Sequence, residues 1–129
     1  MYGLEVRHKF DAMHQLPDSE YLVTKACARK HGHTYGVRVM IEMIDDDLVK
    51  EGGGMVIDFK AIKDIIDVFD HQNVNEILAE NGYFCEATAE NIAKFLYEKI
   101  REKTGLISEV WVAEGYKGDE WSSWAKYSR

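Results

Sequence analysis

Three histidines have the spacing of a metal site. His31 and His33 are two residues apart in a segment with strand periodicity, so their imidazoles should emerge on the same face. His14 lies at the end of an earlier strand that can pair with this segment, and it can supply a third nitrogen. Three imidazoles suit zinc or another late first-row metal and leave a fourth position for water or substrate. Two solvated histidines are the competing interpretation of H-x-H alone, and the third histidine and a nearby cysteine favour the metal.

That cysteine, Cys27, precedes His31 by four positions in a C-x3-H-x-H pattern, and two functions compete for it. As a fourth zinc ligand it would close the site and make the metal structural. Left off the metal, but near a cation and the basic residues Lys25, Arg29 and Lys30, its thiol pKa would fall below about 8.5. It could then serve as a base or nucleophile. The spacing alone does not separate the two roles.

Asp70 and His71 form a second pair that could do acid–base chemistry. A break in the preceding helix after Phe69 would let both side chains turn inward. A carboxylate that orients an imidazole fixes its tautomer and raises its basicity. The alternative is a cationic His71 that helps to satisfy the negative C-terminal end of the helix.

Glu114 shares strand parity with Val110 and Val112, so its side chain is expected to point toward the buried side. A buried carboxylate needs partners, and a planar ligand with adjacent N–H donors would satisfy it. The alternative is a solvated carboxylate that lies just past the end of the strand.

Periodicity and capping residues predict the elements that must position these side chains. Alternating apolar residues indicate strands, and apolar stripes that follow a capping residue indicate helices. The strands are predicted at residues 4–14, 31–43, 107–114 and 121–127, and the helices at 58–69 and 88–105. This β-β-α-α-β-β order is an α+β pattern, an antiparallel four-stranded sheet with two helices on one face. The uncovered face is expected to be shaped by other subunits.

Composition narrows the class of protein. The 129 residues contain no linker, low-complexity tract or internal repeat, so we expect a single domain over residues 1–129. A formal charge of −7 argues against nucleic acid or an anionic membrane as partner, because both are bound through clustered positive charge. No apolar run approaches the roughly 20 residues that span a bilayer. Two cysteines without a CxxC pattern, and an N-terminus without an apolar signal core, predict a cytoplasmic protein.

Six segments in order carry a resemblance to a known family. They are F-D-A-M-H at 10–14, C-A-R-K-H-G-H-T-Y at 27–35, G-M-V-I-D-F at 54–59, D-H-Q-N-V-N at 70–75, A-T-A-E-N at 87–91 and V-A-E at 112–114. Along nearly its whole length the chain resembles the 6-pyruvoyltetrahydropterin synthase / 6-carboxytetrahydropterin synthase family. The resemblance implies a tunnelling fold, in which three subunits join their sheets into a barrel and two trimers stack into a homohexamer.

The same resemblance implies a zinc enzyme. Zinc (Zn2+) would be held by His14, His31 and His33, with Cys27 off the metal as catalytic base or acid. As a Lewis acid, zinc would bind the side-chain hydroxyl oxygens of the substrate and acidify the adjacent C–H and O–H bonds. The dihydropterin ring would accept the electron pair of the internal redox step, so no nicotinamide or flavin is needed.

The resemblance also implies roles for residues around the substrate. Asp70 and His71 would form the opposing proton-transfer pair, in sites that lie between subunits. Glu114 would anchor the guanidine-like edge of the pterin by paired hydrogen bonds. The backbone near Thr88 would help to hold the ring.

Within the family, C-x3-H-G-H spacing is typical of the bacterial queuosine-pathway enzyme, and this chain has it. The resemblance therefore implies 6-carboxytetrahydropterin synthase activity, which converts 7,8-dihydroneopterin triphosphate to the 6-carboxy product and releases triphosphate and acetaldehyde. One alternative is the sister 6-pyruvoyltetrahydropterin synthase activity. The other is a non-catalytic, zinc-stabilised binding protein in which Cys27 closes the site.

Overall fold

The first two strands form a long antiparallel pair with histidines at one end. A computed structural model describes residues 2–17, 28–43 and 53–129 of the chain. β1 (Tyr2–His14) and β2 (His31–Met43) pair along their whole length, so that His14 lies opposite His31. Alternate apolar side chains of both strands are buried on one face, which is the period of two that predicted them. The pairing brings both histidines to one corner of the sheet.

Two shorter strands complete an antiparallel sheet of order β1-β2-β3-β4. β3 (Glu109–Ala113) pairs with the middle of β2, and β4 (Trp124–Ser128) pairs with β3. The predicted third strand ran one residue too far, because the chain leaves β3 after Ala113. Glu114 therefore lies just beyond the strand, and the histidine end of β2 extends past β3.

Capping side chains define the two helices that the sequence predicted. The helical segments of the described chain are α1 (Phe59–Ile66), a 3-10 turn (Asp67–Phe69), α2 (Val74–Glu80) and α3 (Ala89–Thr104). The Asp58 carboxylate accepts from the Lys60 N–H at the start of α1. Thr88 caps α3 in the same way, and Gly105 ends that helix in the left-handed conformation, with φ 71°.

The short helix α2 is a correction to the sequence interpretation, which placed only a connecting stretch there. The Asn73 side chain caps it by accepting from the Glu76 N–H. Val74 and Leu78 are its buried residues, one turn apart. Two apolar positions in seven residues are too few to establish a helical period from sequence, because that signal needs a window of about 11 residues or more.

The helices pack on one face of the sheet, and the other face is mostly polar, with Trp111 and Trp124 beside Arg38. Large fully buried side chains from both layers meet in the core, among them Phe69, Phe95, Ile62, Tyr35 and Phe10. On the opposite face, Glu5 accepts from the Nε atoms of Arg7 and Arg38, each at 2.9 Å. The α+β fold class is thereby confirmed, and assembly into a barrel stays a prediction. Within the described ranges, no helix has both the length and the apolar character needed to cross a bilayer.

Candidate active site and metal centre

The three histidines converge at the corner where β1 ends and β2 begins. The ring centroid of His14 lies 4.5 Å from that of His31 and 5.0 Å from that of His33. One nitrogen from each ring and one carboxylate oxygen of Glu114 all lie within 4.8 Å of one another. His14 is fully buried, whereas the other three side chains are partly exposed. The cluster therefore has a protected side and an open side.

Backbone carbonyls set the tautomers of two of these rings. His14 Nδ1 lies 2.7 Å from the carbonyl oxygen of Ala87. His31 Nδ1 lies 2.6 Å from the carbonyl oxygen of Arg29. Because a carbonyl oxygen can only accept, each Nδ1 donates its proton and each Nε2 presents a lone pair. The two Nε2 atoms face each other at 2.9 Å, an arrangement that a shared cation stabilises.

The third ring has a buried nitrogen without a partner. Within the described residues His33 Nε2 makes no hydrogen bond of acceptable geometry, although Glu114 Oε1 lies 3.1 Å from it. Burial lowers the pKa of His33, the Glu114 carboxylate opposes this shift, and the two neighbouring histidines add to it. A lowered pKa favours the neutral imidazole, which is the form that binds metals.

This donor set fits a late first-row divalent metal. Neutral imidazole nitrogens are ligands that such metals prefer. The carbonyls behind two of the rings act as the outer-shell partners that usually orient metal-binding histidines. A metal would also satisfy the orphaned His33 Nε2. The histidine cluster could therefore hold a metal ion.

Glu114 lies closer to the histidines than strand parity alone suggested. The chain turns immediately after β3, and Gly115 takes a left-handed φ of 65°. Glu114 Oε1 lies 3.1 Å from His33 Nε2 and 3.8 Å from His14 Nε2, and its side chain is 34% exposed. It thus offers the cluster a fourth donor. The role of pterin anchor, which the resemblance implies for it, stays a prediction.

A hydrogen bond joins Asp70 and His71 at the break that follows the 3-10 turn. His71 Nδ1 lies 2.9 Å from Asp70 Oδ2, and Asp70 Oδ1 accepts from the backbone N–H of Asp11 at 3.0 Å. His71 has a φ of 59°, the one positive φ of a non-glycine residue in the described part of the chain. Since Asp70 occupies Nδ1, the Nε2 atom is left for proton transfer.

The Asp70–His71 pair shifts the pKa values of both members in opposite directions. The Asp11 backbone N–H and then the His71 ring lower the pKa of Asp70. The Asp70 carboxylate raises the pKa of His71 above its ordinary value of 6.5. Because the His71 side chain is 80% exposed, a ligand in the adjoining space can reach it. This combination suits a general acid or base near neutral pH.

One cleft has a ring of the histidine cluster, His33, and the ring of His71 in its wall. It has a volume of about 510 Å³, and both His33 and His71 line it. Asp11 and Thr34 contribute polar wall, and the Thr34 hydroxyl donates to the Asp11 carboxylate. Groups from three segments of one chain therefore open onto the same space, which is large enough for a small molecule.

Of the two remaining predicted residues, Thr88 and Cys27, the structure describes only Thr88. Thr88 lies at the start of α3, where its hydroxyl accepts from the Asn91 N–H at 3.2 Å. Its neighbour Ala87 supplies the carbonyl that holds His14. Cys27 lies outside the described residues, so its predicted role stays a prediction.

Sequence reasoning did not assign Ala87 or Tyr35 to the surroundings of the histidine cluster. Tyr35 continues the parity of His31 and His33, and its ring meets the His33 ring edge-on with centroids 5.7 Å apart. Its hydroxyl is buried without a hydrogen-bond partner in the described chain, and burial raises its pKa. Strand parity could have identified Tyr35. Nothing local could have paired Ala87 with His14, because 73 positions separate them.

Comparisons with known proteins identify relatives of this chain in sequence and in fold. The family model described as 6-pyruvoyl tetrahydropterin synthase matches residues 3–127. The 6-carboxy-5,6,7,8-tetrahydropterin synthase of Synechocystis sp. is 34% identical over 110 residues, which cover 79% of this chain and 77% of that protein. A putative 6-carboxy-5,6,7,8-tetrahydropterin synthase of Pyrococcus abyssi is 30% identical over 121 residues, covering 75% and 72% of the two chains. The solved structure of Caenorhabditis elegans 6-pyruvoyl tetrahydropterin synthase has the same fold, with a TM-score of 0.66 at 23% identity over 99% of this chain and 95% of that one.

Proposed function

Because this chain belongs to the 6-pyruvoyl tetrahydropterin synthase family, we propose that it is a 6-carboxy-5,6,7,8-tetrahydropterin synthase. Its substrate would be 7,8-dihydroneopterin triphosphate, and its products 6-carboxytetrahydropterin, acetaldehyde and triphosphate. Two relatives at 34% and 30% identity have this name. The observation that carries the proposal is the cluster of three histidines and Glu114, one member of which, His33, lines a cleft together with His71.

The metal we propose is zinc, held by His14, His31 and His33. Bound there, zinc would supply a Lewis acid to the side-chain oxygens of the substrate. The carbonyls of Ala87 and Arg29 keep two Nε2 lone pairs directed into the cluster. In the part of the chain that the structure describes, His14 is fully buried and the partly exposed His31, His33 and Glu114 form the open side of the cluster, from which we propose that substrate binds.

His71 is the proton-transfer residue that we propose on the cleft wall. Asp70 holds its Nδ1 and stabilises the imidazolium, which leaves Nε2 to give or take a proton at the substrate side chain. Cys27, four positions before His31, is proposed as the second acid–base group on the opposite side of that side chain. Two such groups, on opposite faces, can remove and return protons at adjacent carbons.

Glu114 and Thr88 are proposed to hold the pterin ring. A carboxylate matches the adjacent N–H donors of a pterin by two parallel hydrogen bonds. The Glu114 side chain is accessible enough to receive them, since it is 34% exposed. The backbone beside Thr88 lies at the start of α3, next to the carbonyl that holds His14.

The assembly that we propose is a homohexamer of two stacked trimers in the cytoplasm, active in queuosine biosynthesis. Two features favour trimers that close a barrel. β1 and β4 are the edge strands of the sheet, and the face away from the helices carries charged side chains such as Arg7 and Arg38. A neighbouring sheet could pair at these edges and enclose that polar face.

Product analysis on the purified, zinc-loaded protein tests the proposed activity. We expect dihydroneopterin triphosphate to give acetaldehyde and the carboxypterin. Formation of 6-pyruvoyltetrahydropterin would instead assign the sister activity, and no turnover with zinc bound would favour a binding protein.

Two variants test the residue roles. His71→Ala should lower kcat by about 10²- to 10⁴-fold, the usual contribution of a general acid or base. His8→Ala is the matched control, because His8 pairs with Asp67 and does not line the cleft. Cys27→Ala should keep zinc and lose turnover; loss of zinc would show that Cys27 is a ligand in a structural site.

A further inference from the structure

The outer edge of β1 is hydrogen-bonded near its end by the segment that begins with Asp70 and His71. The His71 N–H donates to the Asp11 carbonyl at 2.6 Å, and the Met13 N–H donates to the Gln72 carbonyl at 3.0 Å. This pairing continues the sheet by a few residues on the far side of β1 from β2. The end of β1 is thus held from two sides.

Asn75 completes this pairing with a side chain in place of backbone. Its Oδ1 accepts from the Gln15 N–H at 2.9 Å, and its Nδ2 donates to the Gln15 carbonyl at 3.0 Å. A carboxamide has one acceptor and one donor side by side, so it can satisfy both polar groups of one residue as a neighbouring strand would. Asn75 is itself fixed, because it lies in the first turn of α2, beside the fully buried Val74.

Gln15 directly follows His14, where β1 ends and the chain leaves the sheet. A strand end frays unless its backbone groups are paired, and fraying would move the His14 ring relative to His31 and His33. The Ala87 carbonyl fixes the His14 ring at Nδ1 but does not hold the His14 backbone. Pairing with His31 of β2 holds the inner edge of this strand end, and the Asn75–Gln15 pair holds the chain at the next residue.

We propose that Asn75 is a positioning residue for the metal cluster: by holding both backbone polar groups of Gln15, it keeps the end of β1 in place so that His14 presents Nε2 to the other two histidines. The inference rests on the proposed metal site. In the D-H-Q-N-V-N segment, Asp70 and His71 are thus proposed for proton transfer, and the last residue, Asn75, is proposed to position a metal ligand. The two ends of this segment support the proton-transfer pair and the metal ligands together.

Zinc affinity of the full-length protein, measured by competition with a chromophoric chelator, tests this role. Asn75→Ala removes both hydrogen bonds, and we expect about 10-fold weaker zinc binding, as for outer-shell partners of metal ligands. Asn81→Ala is the matched control, because Asn81 Nδ2 donates to the Ile77 carbonyl at the other end of α2. The Asn81→Ala variant should bind zinc as tightly as the wild type does, even if its melting temperature falls as much as that of Asn75→Ala.

A second variant covers the case in which Asn75→Ala does not fold. Asn75→Asp keeps the acceptor for the Gln15 N–H and replaces the donor with an oxygen that faces the Gln15 carbonyl. We expect weaker zinc binding than in the Asn81→Ala control, because this oxygen and the Gln15 carbonyl repel each other. Faster hydrogen exchange of the Gln15 amide in the metal-free protein is expected only for Asn75→Ala, which removes the acceptor. If every Asn75 variant that folds binds zinc as tightly as the Asn81→Ala control, the positioning role of Asn75 is refuted, but the proposed metal site is not. Failure of the wild type to bind zinc would overturn the proposed metal site as well.

Discussion

Glu114 has two possible functions that one substitution separates. It lies within 3.8 Å of two histidine nitrogens, so it could be a fourth metal ligand, and it is also the proposed pterin anchor. A fourth protein ligand would close the site, whereas a catalytic zinc keeps a position open. Glu114→Gln keeps the size and one acceptor of the side chain and removes its charge.

The expected effect follows from the loss of charge assistance in one pterin hydrogen bond and of the acceptor for the other, and the loss of charge assistance alone sets its lower limit. Hydrogen bonds to a charged group contribute roughly 1.5–3 kcal/mol, and neutral ones roughly 0.5–1.5 kcal/mol. The charge on Glu114 is partly screened by water, because its side chain is 34% exposed. We therefore use a value in the lower part of the range for the energy lost when charged hydrogen bonds become neutral. A loss of about 1 to 2 kcal/mol corresponds to a rise of about 5- to 30-fold in KM.

Two measurements on the Glu114→Gln variant distinguish the functions. In the cobalt-substituted protein, the visible absorption spectrum reports the ligands, and it should equal that of the wild type if Glu114 is not a ligand. Steady-state kinetics should show the rise in KM. Glu109→Gln is the matched control at the other end of β3, because Glu109 accepts from Trp111 Nε1, outside the cluster. A changed cobalt spectrum with an unchanged KM would refute the reasoning and make Glu114 a ligand.

Two further predictions concern a helix cap and a titration. Thr88→Ala removes the acceptor for the Asn91 N–H, and it should destabilise the protein by about 1 kcal/mol, which lowers Tm by about 4 °C. KM should not change, because the proposed contact with the pterin uses the backbone beside Thr88. A raised KM would show that the Thr88 hydroxyl binds the substrate. The pKa of His71 is raised above 6.5 and the pKa of Asp70 is lowered below 3.8, so their pairing stabilises the fold most between pH 3.8 and pH 6.5. This stabilisation is lost as pH rises through the raised pKa of His71, and it is also lost as pH falls through the lowered pKa of Asp70. NMR titration of the metal-loaded protein should give a His71 midpoint above 6.5 that falls in Asp70→Asn, and equal midpoints in the two proteins would contradict the pairing.

The sequence was sufficient for those parts of the fold and site that depend on local periodicity. Strand parity predicted that His31 and His33 share a face, and the full pairing of β1 with β2 brings His14 opposite His31. The caps at Asp58 and Thr88 were predictable because a capping side chain bonds within three residues of itself.

Contacts between distant segments could not be predicted in this way. The position of Glu114 depends on a turn just beyond β3, and a strand period says nothing once the strand has ended. The bonds from Asn75 to Gln15 join segments 60 positions apart and use a side chain as if it were backbone. Both contacts arise from tertiary packing, and one sequence without related sequences has no signal for them.

The pairing of Asp70–Asn75 with β1 also determines how far the sheet could grow. Asp11, Met13 and Gln15 use their outward backbone groups within the chain, and among the described residues nothing pairs with this edge from Gly3 to Lys9. An added strand could pair over seven residues, or about 23 Å, before it met Asp11 and the turn at His71. The cleft begins where such an added strand must stop. A strand of a second chain that paired at this edge would therefore end beside the cleft and could supply part of its wall. Asp11, Met13 and Gln15 are already paired within the chain, which protects that part of the edge from aggregation.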